Sequence, residues 1–184
     1  RIQFDCFTML VYPLEKYLVA TLFDPSRPIL KAFRGLKYFP INHKYCLHAR
    51  IKRIPQPKAV TMLTSRNLEK TFYRSSEISF LFNRKKYRLY GYSSKVAGDG
   101  NGKEILFIPF TDKTTGKESY YTGRYLEIPM PDPKNNRLIL DFNRAFNPLC
   151  NYSPAYNCAI PPAENSLDIR IEAGEKRYPT PDHY

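Results

Sequence analysis

From residue 78 to residue 92 apolar and polar positions alternate. Ile78, Phe80 and Phe82 fall on one side of an extended chain, Asn83-Arg84-Lys85-Lys86 interrupts the run, and Tyr87-Arg88-Leu89-Tyr90-Gly91-Tyr92 resumes it. A period of two on both sides of a polar break predicts a β-hairpin. Upstream, His48-Ala49-Arg50-Ile51-Lys52-Arg53-Ile54 reads as a strand whose polar face is strongly basic. Ile105-Leu106-Phe107-Ile108-Pro109-Phe110 is a continuous apolar run of buried-strand length, and Asp99-Gly100-Asn101-Gly102 before it predicts a flexible turn. Further strands are expected within Ser119–Ile128, Arg137–Phe142 and Leu167–Ile171, joined by Pro-rich and Asn-rich connections. Roughly seven short strands with turn signals between them predict a mainly β fold, a single antiparallel β-barrel or sandwich domain.

The first 32 residues read differently. Phe4 to Phe23 is apolar, but Asp5, Pro13, Glu15 and Lys16 interrupt it well short of the ~20 residues that a membrane span requires. No transmembrane segment is expected; the stretch predicts a soluble helix packed on the domain, making residues 1–32 an N-terminal helical extension. The prolines of Asp24-Pro25-Ser26-Arg27-Pro28 end any such helix. Phe33, Leu36, Tyr38 and Phe39 around Gly35 supply anchors for a clamp over a β domain spanning residues 33–176. Residues 177–184 should be an extended, mobile tail.

Charge changes the picture more than composition does. The 184 residues are 42% hydrophobic, enough for one core without a metal or disulfide staple. The net charge is +12, and it is unevenly placed: residues 1–95 carry 19 basic and 5 acidic side chains, residues 96–184 carry 10 and 12. The basic surface is expected around Arg50, Lys52, Arg53, Arg84, Lys85, Lys86 and Arg88. It fits a plain solvated face or an acidic protein within a larger assembly, with nucleic acid and an anionic membrane surface as the other partner classes. Phe72, Tyr73, Tyr87 and Tyr90 interleave with the cations and could stack on bases, but strand core is the more economical reading. An organellar (mitochondrial) or extracytoplasmic address is expected ahead of a cytoplasmic one.

Four ordered motifs occupy the second half: Pro109-Phe-Thr-Asp-Lys-Thr-Thr-Gly-Lys-Glu-Ser-Tyr-Tyr-Thr-Gly-Arg-Tyr-Leu-Glu-Ile128, Leu140-Asp-Phe-Asn-Arg-Ala-Phe-Asn-Pro-Leu-Cys150, Cys158-Ala-Ile-Pro-Pro-Ala-Glu-Asn-Ser-Leu167 and Ala173-Gly-Glu-Lys176. With Phe33-Arg-Gly-Leu-Lys-Tyr-Phe-Pro40 they give the chain a resemblance to the uncharacterised, mostly prokaryotic family named domain of unknown function 1684. Thr122 stands where the family usually has Gly, and Ala159 where it has Pro. The resemblance implies a fold and no established activity.

The motif residues allow two kinds of work. Arg124 could clamp a carboxylate or phosphate through its planar fork, or pair internally with Asp141 or Glu164. Asn143, Asn147, Asn151 and Asn157 surround the loop between Cys150 and Cys158 and can satisfy buried irregular backbone. Arg124, Asp141, Asn143, Asn147, Glu164 and Asn165 are therefore the candidate ligand-binding set, with a self-bonded cap as the competing reading. Cys150 and Cys158 are a disulfide candidate, with two packed thiols and, less favoured, metal ligation as the alternatives; Cys6 and Cys46 read as small buried hydrophobes. Asn151-Tyr152-Ser153 has the spacing of a glycosylation acceptor. No catalytic signature occurs, no nucleophile is nominated beyond Cys150, and no metal or cofactor is expected. The expected function is a non-catalytic accessory or scaffold domain docking through its basic half. The rival is a small-molecule-binding or hydrolytic domain with a pocket around Arg124, Asp141 and Glu164.

Overall fold

A computed structural model describes residues 1–14, 17–93 and 105–179. They form two compact units, Arg1–Gly35 and Leu36–Tyr184.

The first unit is built of strands, which corrects the helical expectation. β1 (Ile2–Phe4), β2 (Phe7–Leu14) and β3 (Tyr17–Phe23) form an antiparallel sheet in that order. Phe4 pairs with Phe7 across a two-residue turn in which Asp5 takes a positive φ of 49°. Val11, Tyr12, Val19 and Thr21 are residue types that suit a pleated strand, and they outweigh the apolar continuity that suggested a helix. Among the described residues of this unit, helix is confined to α1 (Pro28–Ala32), where Pro occupies the first turn.

The second unit holds one six-stranded sheet in the order β8-β7-β6-β5-β4-β9, every neighbouring pair antiparallel. Its strands are β4 (Cys46–Leu63), β5 (Glu69–Phe82), β6 (Lys85–Ser93), β7 (Ile105–Phe110), β8 (Arg124–Pro129) and β9 (Arg137–Asp141). β8 and β9 are its edges, so the expected mainly β, antiparallel fold takes the form of a half-barrel sheet. The β5–β6 hairpin turns on Asn83 (φ 49°) and Arg84 (φ 64°), the two positive angles that match strand twist in a two-residue loop. Leu167–Ile171, expected as a strand, makes irregular backbone contacts, among them Leu167 N–H to Thr111 C=O at 2.8 Å. The expected turn at Asp99–Gly102 and the end of the tail, residues 180–184, lie outside the described residues.

Alternation assigns the two sheet faces. Ala49, Ile51, Ile78, Phe80, Phe82, Leu89, Leu106, Ile108, Phe110, Leu138 and Leu140 point to one face, where Phe142, Leu167, Ile171 and Ala173 close the main core. Irregularities between Arg53 and Lys58 in β4, and between Arg74 and Ser76 in β5, shift the register. Past them Met62, Val60 and Phe72 join Tyr90, Tyr92 and Phe107 in a smaller cluster on the second face. Arg50, Lys52, Lys86, Arg88 and Arg137 share that second face, nearer the β5–β6 turn.

Candidate functional site

Arg124 begins β8 and has no exposure at all. Gly123 before it holds φ at +109°, with its Cα so close to β7 that an added Cβ would lie 2.5 Å from the Phe110 carbonyl oxygen. That approach delivers the guanidinium into the core. Its Nη2 donates to the Ile171 carbonyl at 2.8 Å, to Asp112 Oδ1 at 3.3 Å and to Thr114 Oγ1 at 3.4 Å; its Nη1 donates to the carbonyls of Ala173 and Glu175. The rings of Phe39 and Phe110 lie 5.8 Å and 5.4 Å from the guanidinium carbon. Asp112 is equally enclosed: Oδ2 accepts from the Ile171 and Thr114 amides at 2.7 Å and 3.2 Å, and the Thr114 hydroxyl donates at 2.9 Å. Burial holds the Arg124 pKa below its ordinary value, and Asp112 opposes that shift. The partner expected for Arg124, Asp141 or Glu164, is thus replaced by Asp112. Together they knot β8, the 112–116 turn and the 171–175 segment.

Glu164 and Asn165 serve the second face and the β6–β7 seam. Glu164 pairs with Arg74 at 2.8 Å and accepts from the Tyr92 hydroxyl at 2.5 Å, while Arg74 lies 4.5 Å from the Tyr90 ring centre. Asn165, fully buried, accepts from the Tyr90 amide at 2.7 Å and donates to the carbonyls of Tyr90 and Pro109 at 2.9 Å and 2.7 Å. Among the described residues β6 and β7 share one paired position, Tyr92 with Phe107. The Asn165 amide group therefore substitutes for absent ladder bonds between two neighbouring strands.

The remaining polar candidates are also engaged within the fold. Asp141 accepts from the Asn143 amide and side chain at 3.0 Å and 2.8 Å, and Asn143 bonds both backbone groups of Asn42 at 3.0 Å. The Asn147 amide donates to Glu175 Oε2 at 2.8 Å, and its side chain donates to the Lys176 carbonyl at 2.8 Å and the Tyr152 hydroxyl at 3.2 Å. Glu175 also accepts from the hydroxyls of Tyr152 and Tyr38. The structure therefore brings Arg124, Asp141 and Glu164 into three separate networks. Asn151 has no exposure, which closes the glycosylation-type sequence to an oligosaccharide. Glu175, Asp112 and Tyr152 were missed by sequence reasoning because no spacing rule links them to their partners.

The four cysteines are unbridged. Cys150 is buried and Cys158 half-buried; the Cys150 amide donates to Cys158 Sγ at 3.2 Å, and the Tyr120 hydroxyl lies 3.5 Å from Cys150 Sγ. Cys6 and Cys46, expected to be buried, are exposed. Among the described residues no group of three His, Cys, Asp or Glu could hold a metal ion, and no helix is long and apolar enough to cross a membrane.

The basic residues divide. Register places Arg137 of β9, Arg50 of β4, Ser79 of β5 and Arg88 of β6 in one cross-strand row, and Ile139, His48, Leu81 and Lys86 in the next. At a strand spacing of about 4.8 Å the first row spans about 14 Å. Arg50, Lys52, Lys86, Arg88 and Arg137 are exposed. An open groove of about 420 Å³ lies among Arg50, Lys52, Glu77, Ser79, Lys86 and Asn136. Of these cations Arg88 has a carboxylate in reach, Glu77 at 3.8 Å across open surface, a contact worth little. Arg53 instead turns to the carbonyls of Pro131, Pro133 and Asn135, Arg84 occupies the hairpin turn, and Lys85 covers the Tyr87 ring at 5.4 Å. Arg137 belongs to the face although it lies far along the chain; strand pairing, unlike local charge count, could have found it. Phe72 stacks on Phe107 and Tyr87 on Phe80, so these aromatics are core.

Residues 31–176 match the family described as Protein of unknown function (DUF1684). An uncharacterized protein of Haloarcula marismortui, solved by solution NMR, is 33% identical, with a TM-score of 0.65 over 83% of this chain and 82% of that one. No curated protein matches the chain. With the family match spanning most of the chain and this relative sharing a third of its residues, the chain belongs to the family Protein of unknown function (DUF1684).

Proposed function

We propose that this chain is a non-catalytic docking domain, an accessory or scaffold component that binds an acidic protein surface of a larger assembly. One observation carries the reading: exposed cations and exposed apolar side chains are interleaved on one sheet face. Leu81, 64% exposed, and Ile139, 48% exposed, sit in the row beside Arg137, Arg50 and Arg88. Apolar anchors rimmed by charge suit a protein partner better than a polyphosphate backbone. Tyr90 on the same face lies between Arg74 and Arg88 at 4.5 Å and 5.1 Å, which leaves its ring occupied rather than open to a base. The pocket reading around Arg124, Asp141 and Glu164 is weaker, since each is bonded elsewhere. The thiols Cys150 and Cys158 belong, in this reading, to the cap over the sheet, which a disulfide between them would tighten.

The test is a titration of the chain with poly-glutamate, a single-stranded oligonucleotide and anionic phospholipid vesicles across a range of salt. The proposal expects the polypeptide to bind and to weaken with salt, and expects Leu81→Ala to weaken it further. Tighter binding of the oligonucleotide or the vesicles, indifferent to Leu81→Ala, would replace the proposal by a nucleic-acid or membrane-surface function.

A further inference from the structure

We infer that Cys150 and Cys158 form an exchange-competent dithiol, in which Cys158 meets an external disulfide and Cys150 closes the bond. Both are fixed by their own backbone. Cys158 lies along the end of β4, its amide donating to Ser65 Oγ at 3.1 Å and its carbonyl accepting from the Ser65 amide at 2.9 Å. Cys150 lies in the short 3-10 turn Leu149–Asn151, closed by Asn151 N–H to Pro148 C=O at 2.9 Å. The Cys150 amide reaches Cys158 Sγ at 3.2 Å, so the two side chains already share one small site. Cys158 is the more exposed, as an entry sulfur must be, and Cys150, 4% exposed, is shielded from bulky reagents.

Hydroxyl groups make the site chemically competent. The Cys150 amide bonds Cys158 Sγ, the Tyr120 hydroxyl lies 3.5 Å from Cys150 Sγ, and Ser65 Oγ accepts from the Cys158 amide. Donation from Cys158 holds the Cys150 thiol below its ordinary pKa against the opposing effect of burial, and the same contact holds Cys158 above it. The two thiols therefore titrate as a pair, with Cys150 the more acidic. With glutathione disulfide as the oxidant, Cys158 sulfur attacks one glutathione sulfur while its proton passes to Cys150, and glutathione leaves as a thiolate. Cys150 sulfur then attacks Cys158 in the mixed disulfide, and the second glutathione leaves carrying the Cys150 proton. Two cysteine sulfurs are oxidised and one glutathione disulfide is reduced to two glutathiones.

The experiment uses the full chain with Cys6→Ser and Cys46→Ser, exposed to glutathione disulfide under native conditions and read by intact mass and peptide mapping. The proposal expects loss of two hydrogens, a Cys150–Cys158 linkage, no retained glutathione, and full reversal by dithiothreitol. Adding Cys150→Ser should leave one stable glutathione on Cys158; adding Cys158→Ser should leave Cys150 unmodified. A glutathione adduct that persists while both cysteines are present, or a pair that stays reduced under these conditions, overturns the proposal. The double-serine chain alone decides between these outcomes if either further variant fails to fold.

Discussion

Arg124 and Asp112 stand 3.3 Å apart, and neither side chain reaches solvent. Two charges in such a place cost a large desolvation energy, recovered only when every remaining lone pair and proton finds a partner. Here the backbone supplies most of those partners, from Ile171, Ala173 and Glu175 to the two Nη atoms of Arg124 and from Ile171 and Thr114 to Asp112, while the buried Arg124 Nε is left without one. Arg124→Ala strands Asp112 and should lower the unfolding free energy by about 3–5 kcal/mol. Arg124→Lys should rescue little of it, because a point charge cannot span the carbonyls of the 171–175 segment and the Asp112 carboxylate at once. Urea unfolding followed by circular dichroism measures both.

Asn165→Ala removes three bonds at a seam with a single ladder position and should cost about 1–3 kcal/mol. The loss is local in origin. Hydrogen exchange at the Tyr90 amide should accelerate more than exchange at Ile78 in the centre of β5, whereas an equal change at both would point to general destabilisation.

Gly123→Ala combines a backbone angle that disfavours a side chain with a Cβ 2.5 Å from the Phe110 carbonyl. Backbone, not a flexible side chain, is what must move. A cost of about 2 kcal/mol or more is expected in the thermal or urea midpoint.

Burial raises the pKa of Tyr92, Tyr120, Tyr125 and Tyr152 above the ordinary value of 10.0, aided by Glu164 at Tyr92 and by Glu175 at Tyr152. The folded chain holds these protons more tightly than the unfolded chain does. The stability they contribute is full below pH 10 and declines as pH rises above it. Tyrosinate absorbance from these four should therefore appear only together with loss of the near-ultraviolet circular dichroism signal. Ionisation ahead of that loss would show the hydroxyls to be open to solvent.

Strands were legible where alternation was local. Ile78, Phe80 and Phe82 declared a core face, and Asn83-Arg84 declared the turn, because both signals lie within a few residues of chain. The N-terminal segment was misread because Phe7–Phe23 is apolar on both faces of its strands, which removes the period that separates strand from helix. Openness of the sheet was not legible, since closure depends on whether two distant edges meet. The Arg124 partner was hidden for a related reason. Asp112 carries its own turn signal, Asp-Lys-Thr-Thr-Gly, which reads as self-contained, and its second task arises only when β7 and β8 pair. Asn143 was expected to bond irregular backbone, but the backbone it bonds, at Asn42, lies 101 residues away, and Asn165 bonds Tyr90 75 residues away, both beyond any spacing rule.

The division of labour between an inward polar half and an outward basic face is tested most directly by one triple variant, Arg50→Glu, Arg88→Glu and Arg137→Glu, titrated with poly-glutamate by isothermal calorimetry at low salt. All three side chains are exposed, so the fold should persist with a wild-type circular dichroism spectrum while binding falls at least about tenfold. Unchanged affinity in a folded triple variant would contradict the account and return recognition to some other surface of the molecule.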